Sequence, residues 1–489
     1  MSSQDIRRRI WDQLRQKDLR VFAALLPAEL VLEAARRALT PAGTGVLNVV
    51  NLVWLALASA LNTFETFTAV LDRTLKLVED GPHYKGSTTD RGRRTVPPSR
   101  SRRRGDPRPA DPAKVSEEAF VQARQLLPWS FWAALILLLT ERFEARHGDR
   151  IRFRRFRLLT LDGTCLNLPH WKRLRDFFGT VSNGKGRRQV QARLVMLQLP
   201  SVRLPWRYEL TPVAEGERTV AARLLKGLRQ DDLVLMDRGF FSYGLFWQVI
   251  DSHAHFAVRA MSGVAFITVE KLSDGSRLVD WTPTGRKWRE QGLPETIRLR
   301  AIDYQIKGFR PSMIITSVLD ADEISREEWV GLTLVDDTGR VLRGPGLYHR
   351  RWEIETTYSE LKEVQRLERG LRGRTPETIA FEVAGHMVLY LLVRWLMVEA
   401  ADGAGVDPLR LSFSGALEEL LAIIPSLVQA SPERAVGELV PRLMRRMASH
   451  QVPLRPGRHY PRPHDTEVKN KGKGKKQLPS KLAPTEVAA

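Results

Sequence analysis

Two apolar runs, each delivering an aspartate at or near the end of a strand, constrain the fold of this chain more than any other feature. Arg152 to Leu161 alternates basic and apolar residues before turning apolar, the pattern of a strand entering a sheet, and Asp162-Gly163-Thr164 follows. Leu233 to Met236 makes a short buried strand, and Asp237 follows it two residues before Gly239. Between them QVQARLVMLQLP and WRYELTPV read as strands and GERTVAARLLKGLRQ as an amphipathic helix. Three strands, a helix and a fourth strand predict a mixed α/β core. A single carboxylate past a strand is ordinarily a turn or a helix cap; two in equivalent positions ask for a shared reason.

A third acid lies in the stretch YHRRWEIETTYSELK, from Tyr348 to Lys362. On a continuous helix with Arg351 at zero, Glu355 falls at about 40°, Lys362 at about 20° and Tyr348 at about 60°. Ile354, Tyr358 and Leu361 fall together on an apolar seam beside that polar stripe. A surface helix with i,i+4 ion pairs would show the same pattern. Combined with Asp162 and Asp237, however, Glu355 completes three hard oxygen ligands, which suit a pair of Mg²⁺ ions and in-line phosphoryl transfer.

These residues resemble a known family. Leu-Asp-Gly-Thr around Asp162, Asp-Arg-Gly-Phe from Asp237, and the spacing Y-x2-R-x3-E-x6-K through Tyr348, Arg351, Glu355 and Lys362 are similar to the bacterial insertion-sequence transposases of the DDE class. The branch is the one named for its Tyr-Arg-Glu-Lys signature, which includes cut-and-paste enzymes that form DNA hairpins. The likeness covers roughly half of the chain, from Ile151 to Trp395.

The resemblance implies an α/β fold with an RNase H-like catalytic core, a mostly β insertion domain, and helical N- and C-terminal regions. It implies metal-dependent cut-and-paste transposition. Asp162, Asp237 and Glu355 would ligate two Mg²⁺ ions, with Mn²⁺ able to substitute. Tyr348, Arg351 and Lys362 would hold a phosphate near the 5′ end of the transposon strand, Arg as a bidentate grip and Lys as a point charge. Double-stranded DNA, both element ends and target, would be the partner, and joining two ends favours a homodimer on DNA. A nuclease of the same fold, or a DNA-binding protein derived from a transposase but without catalysis, would share much of this pattern. Arg238 either touches DNA or pairs with a neighbouring acid.

Composition agrees. The chain of 489 residues carries 77 Lys+Arg against 56 Asp+Glu, a net charge of +21, which calls for a polyanionic partner. Its one cysteine, Cys165, excludes disulfides within the chain and Cys-type zinc sites. The charged N-terminus lacks a secretory signal, and the uncharged segment Pro41–Phe64 reads as a buried core helix, so a cytoplasmic protein is expected.

The expected organisation runs from a helical DNA-binding domain (1–82) through a basic disordered linker (83–114) into the first part of the core (115–255). The linker holds seven arginines and no acid between Arg91 and Arg104. A β-rich insertion (256–340) fits the 118 positions between Asp237 and Glu355, more than a plain RNase H-like core needs. The second part of the core (341–400), C-terminal helices (401–451) and a basic disordered tail (452–489) complete the chain. Within the insertion, Trp281 and Trp288 sit among cations, placed either to stack on an extruded base or to pack a small sheet.

Overall fold

The computed structural model describes residues 22, 25–43, 47–61, 117–182, 188–284, 287–305, 311–331, 333–335, 341–343, 346–429 and 434–453. The expected linker at 83–114 and the tail from residue 454 lie outside them, as do 1–21 and 62–82 of the N-terminal region.

The strands are β1 (Arg152–Phe153), β2 (Phe156–Asn167), β3 (Thr180–Ser182), β4 (Arg188–Leu199), β5 (Leu204–Pro212), β6 (Asp232–Met236) and β7 (His255–Arg259). Further along come β8 (Ile267–Lys271), β9 (Arg277–Trp281), β10 (Ile297–Tyr304) and β11 (Ser312–Thr316), with a small hairpin of β12 (Thr333–Val335) and β13 (Val341–Arg343). One sheet runs in the order β3-β4-β2-β6-β7-β11-β10-β9-β8, with β5 also on β4 and β1 on β2. β4 is antiparallel to β2 and β5, whereas β6 is parallel to β2 and β7 parallel to β6.

The apolar runs are explained by burial on both faces of the central strands. Leu159, Leu161, Val234 and Met236 face the large core, while Leu158, Leu233 and Leu235 meet Trp329 and Leu347 on the other side. The expected boundary at residue 256 falls inside β7. The strand-rich segment after it does not form a sheet of its own: β11 pairs with β7 and carries β10, β9 and β8 outward, so the central sheet is prolonged.

Helices cover both faces of the sheet. They are α1 (Ala28–Arg37), α2 (Val49–Leu61), α3 (Glu117–Gln125), α4 (Trp129–His147), α5 (Lys172–Phe178), α6 (Glu217–Leu225) and α7 (Tyr243–Asp251), followed by α8 (Arg326–Val330), α9 (Glu353–Ser359), α10 (Pro376–Ala404), α11 (Phe413–Gln429) and α12 (Val440–Ser449). α10 starts at a Thr375–Thr378 capping box with Pro376 in its first turn and stops at Gly405, whose φ of +66° suits glycine. It is long and apolar enough to cross a membrane, but 94% of its most apolar window is buried inside the protein. A helix that is apolar all round is one surrounded by protein. α2 lies against it so closely that a Cβ on Gly385 would stand 2.6 Å from the Ala56 carbonyl oxygen. The described N-terminal helices thus join the common core, α2 on α10 and α1 on α4.

Candidate active site

The parallel pairing of β2 with β6 ends at Leu161 opposite Met236. The next residue in each strand is the aspartate. Asp162 sits within β2, which continues to Asn167, so the expected strand end is the end of its parallel partner. Asp237 leaves β6 in extended conformation and opens a 3₁₀ turn, Arg238–Phe240. Gly163 donates its N–H to Asp162 Oδ1 at 2.8 Å. A side chain at Gly163 would meet the Glu217 carboxylate, 3.1 Å from its Cβ position, so a fourth acid approaches here from α6.

The segment carrying Glu355 is not one continuous α-helix. Leu347–Trp352 winds as 3₁₀, α9 follows, and Glu360–Val364 widens into a π turn. The changes of pitch break the expected single stripe and send its members to different partners. Tyr348 Oη donates to the Met236 carbonyl at 2.8 Å and accepts from Arg259 N at 3.0 Å, anchoring the 3₁₀ turn across β6 and β7. Burial pushes this phenol well above its ordinary pKa. Tyr358, on the apolar seam, donates to the Asp162 carbonyl at 2.8 Å. Lys362 Nζ donates to Thr164 Oγ1 at 2.8 Å and to the Cys165 carbonyl at 2.7 Å, and stands 3.5 Å from Glu368.

Arg351 and Glu355 keep the expected i,i+4 relation. Arg351 Nη1 donates to Glu355 Oε1 at 3.0 Å, and its Nε stands 4.0 Å from Asp237 Oδ1. The guanidinium is 7% exposed, against 38% for the Asp237 side chain and 42% for Glu355, so a buried cation presents two acids to solvent. It stacks 4.5 Å from the ring centre of Trp352. Burial raises the Asp162 carboxyl to about 6; the Gly163 N–H and Arg351 oppose that rise, and Asp237 and Glu355 add to it. The three predicted acids therefore sense one another around Arg351.

Among the described residues, no group of three or more His, Cys, Asp or Glu side chains is disposed to hold one metal ion. The donor chemistry nonetheless fits hard divalent cations: carboxylate oxygens of Asp162, Asp237 and Glu355, whose mutual repulsion a single guanidinium offsets.

Arg238 is exposed and lines a cavity of about 610 Å³ with Arg259, Phe266, Tyr304 and Arg326. Trp281 and Trp288 are both at least nine-tenths buried, Trp281 with ring centres 5.0 Å from Phe241 and 5.1 Å from Tyr243, and Trp288 6.4 Å from Tyr243. Their geometry is that of packing beneath the sheet extension. Sequence reasoning missed Tyr358, Thr164, Arg259 and Glu217 as neighbours of the site. Only Thr164, inside the Leu-Asp-Gly-Thr motif, carried a signal.

Residues 154–392 match the family model described as a transposase DDE domain. This part of the chain is similar to transposase DDE domains. Over 288 residues the protein is 30% identical to the transposase InsG for insertion sequence element IS4 of Escherichia coli (strain K12). That alignment takes in 54% of this chain and 59% of the relative, so the chain spans about three-fifths of the curated protein it matches. The chain also aligns with a cryo-EM structure of a piggyBac transposase synaptic complex with hairpin DNA. The identity is 10% and the TM-score 0.38, over 96% of this chain and 92% of that one.

Proposed function

We propose that this protein is a DNA transposase that cuts at the ends of an insertion sequence and joins them to target DNA, with Asp162, Asp237 and Glu355 as its metal-binding carboxylates. The observation that carries this reading is the pairing of Leu161 with Met236, which sets both aspartates side by side, with Arg351 linking Asp237 to Glu355. The strand order β5-β4-β2-β6-β7, with antiparallel pairings β5–β4 and β4–β2 on one flank of β2 and parallel pairings β2–β6 and β6–β7 on the other, supports an RNase H-like core. The net charge of +21 supports a DNA partner.

Magnesium ions bound at these carboxylates would supply activation of the attacking oxygen and charge neutralisation at the leaving oxygen. The chain's own residues prepare the place. Arg351 holds Asp237 and Glu355 toward a common centre and remains a cation beside a scissile phosphate. Tyr358 and Lys362 fix the Glu355 segment along β2 from Asp162 to Cys165. Tyr348 ties the same segment to the end of β6, next to Asp237. Lys362 and Arg238 then border the path of a strand, and a second copy of the chain would hold the second DNA end.

The test is incubation of the full chain with Mg²⁺ and a duplex bearing the inverted repeats that bracket its coding sequence. Metal-dependent cuts at the repeat ends followed by joined products bear out the proposal. Cuts without joined products make it a nuclease, and binding without metal-dependent cutting makes it a DNA-binding protein.

A further inference from the structure

Beneath the segment that carries Glu355 lies a charged cluster with no place in the chemistry above. Arg394 of α10 is 1% exposed and pairs with both oxygens of Glu360, the first residue of the π turn. Tyr390 Oη, on the same face of α10, donates to Glu360 Oε2 at 2.6 Å and accepts from Arg394 Nε at 3.1 Å. Arg203, from the turn between β4 and β5, donates to Glu360 Oε1 at 3.1 Å and to Glu353 Oε2 at 2.7 Å. It therefore spans the segment from the first residue of α9 to the first residue of the π turn.

Two features show that this cluster sets direction rather than merely filling space. Replacing a buried ion pair by apolar packing is often neutral or stabilising, whereas a carboxylate whose two oxygens are met by Arg394 Nη2, Arg203 and Tyr390 together is fixed in where it points. Arg203 also adopts φ of +55°, a left-handed conformation that a side-chain-bearing residue keeps only where its surroundings hold it. Glu360 lies about 140° around a helix from Glu355, so anchoring it to the core turns Glu355 toward the sheet. The π turn that begins at Glu360 then brings Lys362 onto Thr164 and Cys165.

We propose that Glu360, clamped by Arg394 and Arg203, is a positioning residue that sets the rotational register of Glu355 and Lys362 against the two aspartates. This rests on the transposase reading for its catalytic readout and on the fold alone for its structural one.

The experiment compares full-length wild type with Glu360→Gln and with the milder Arg203→Gln, which leaves the buried Arg394 pair intact. Three quantities are read: amide exchange over Leu361–Val364, Mn²⁺ affinity without DNA, and kcat and KM for cleavage of the repeat-end duplex. Both variants are expected to melt cooperatively, exchange these amides at least about tenfold faster, and bind Mn²⁺ several-fold more weakly. kcat should fall at least about tenfold with KM for DNA changed less than about threefold. Arg394→Lys, which keeps the charge but cannot reach Glu360 and Tyr390 with separate donors, should not match wild type. Folded variants with wild-type exchange and wild-type Mn²⁺ affinity overturn the inference, as does a rise in KM with kcat unchanged. If wild type itself cuts no DNA, the transposase reading fails while exchange and Mn²⁺ affinity still decide the role of Glu360; should Glu360→Gln fail to fold, Arg203→Gln decides it.

Discussion

Arg351 donates to Glu355 at 3.0 Å and lies 4.0 Å from Asp237, so one buried guanidinium stands where the charges of two carboxylates converge. It balances the carboxylates and occupies ground that a divalent ion would need. Arg351→Ala is expected to bind Mn²⁺ more tightly at pH 8, where a competing cation has been removed, and yet to cleave DNA at least about tenfold more slowly. Mn²⁺ titration beside single-turnover cleavage checks both halves of this expectation.

The acid limb of metal binding should report Asp162. Its carboxyl is raised to about 6, and ligation needs the ionised form, so Mn²⁺ affinity should decline as pH falls through 6. Arg351 favours the ionised form, and its loss should move that limb to higher pH. Titrations from pH 5 to pH 8 on wild type and Arg351→Ala measure the displacement.

The same group makes stability depend on pH in the direction opposite to most carboxylates. With its folded pKa raised above 3.8, Asp162 binds more proton in the folded than in the unfolded chain between pH 3.8 and about 6. Its ionisation thus weakens the fold as pH rises through that window, with the full penalty above it. Asp162→Asn should stabilise the protein by about 1–3 kcal/mol at pH 8 and by little near pH 4. Urea unfolding at the two pH values tests this.

Tyr358→Phe removes the hydroxyl that meets the Asp162 carbonyl and leaves that acceptor without its donor. A loss of about 1–2 kcal/mol is expected, together with slower cleavage if Asp162 is the proposed metal ligand, because the bond ties α9 to β2 at that residue. Denaturant unfolding and kcat are the two measurements.

Gly385→Val tests the seam between α2 and α10. The first added carbon would meet the Ala56 carbonyl oxygen at 2.6 Å, so the helices must separate, at a cost of about 1–3 kcal/mol or more. A lower melting temperature with an unchanged metal requirement is the expected result.

Much of the central sheet was legible in the sequence because its strands are apolar on both faces and punctuated by acids and glycines. Asp162 and Asp237 could be paired on paper, since each follows a strand of matching type. The π turn was not legible: the residues ELKEV have ordinary helical character, and Glu360 at its start meets Arg394, thirty-four positions away, which no local pattern reveals. Tyr358 read as apolar seam because its ring is buried, while its hydroxyl reaches a backbone carbonyl that no side-chain pattern reveals. Residue 256 lies inside β7, which pairs in parallel with β6 on one edge and antiparallel with β11 on the other, and alternation along a strand is silent about which neighbour it takes. Trp281 and Trp288 stand among cations in sequence; the Trp281 ring meets Phe241 and Tyr243, while Trp288 has the Arg289 guanidinium 5.0 Å from its ring centre.

The most direct measurement is Mg²⁺-dependent cleavage of a repeat-end duplex by Asp162→Ala, Asp237→Ala and Glu355→Ala, each assayed beside its binding of the same DNA. Each substitution should reduce cleavage by at least about a thousandfold while leaving DNA binding measurable, since the acids serve the metal rather than hold the duplex. Near-normal Mg²⁺-dependent cutting by any one of the three would contradict the assignment.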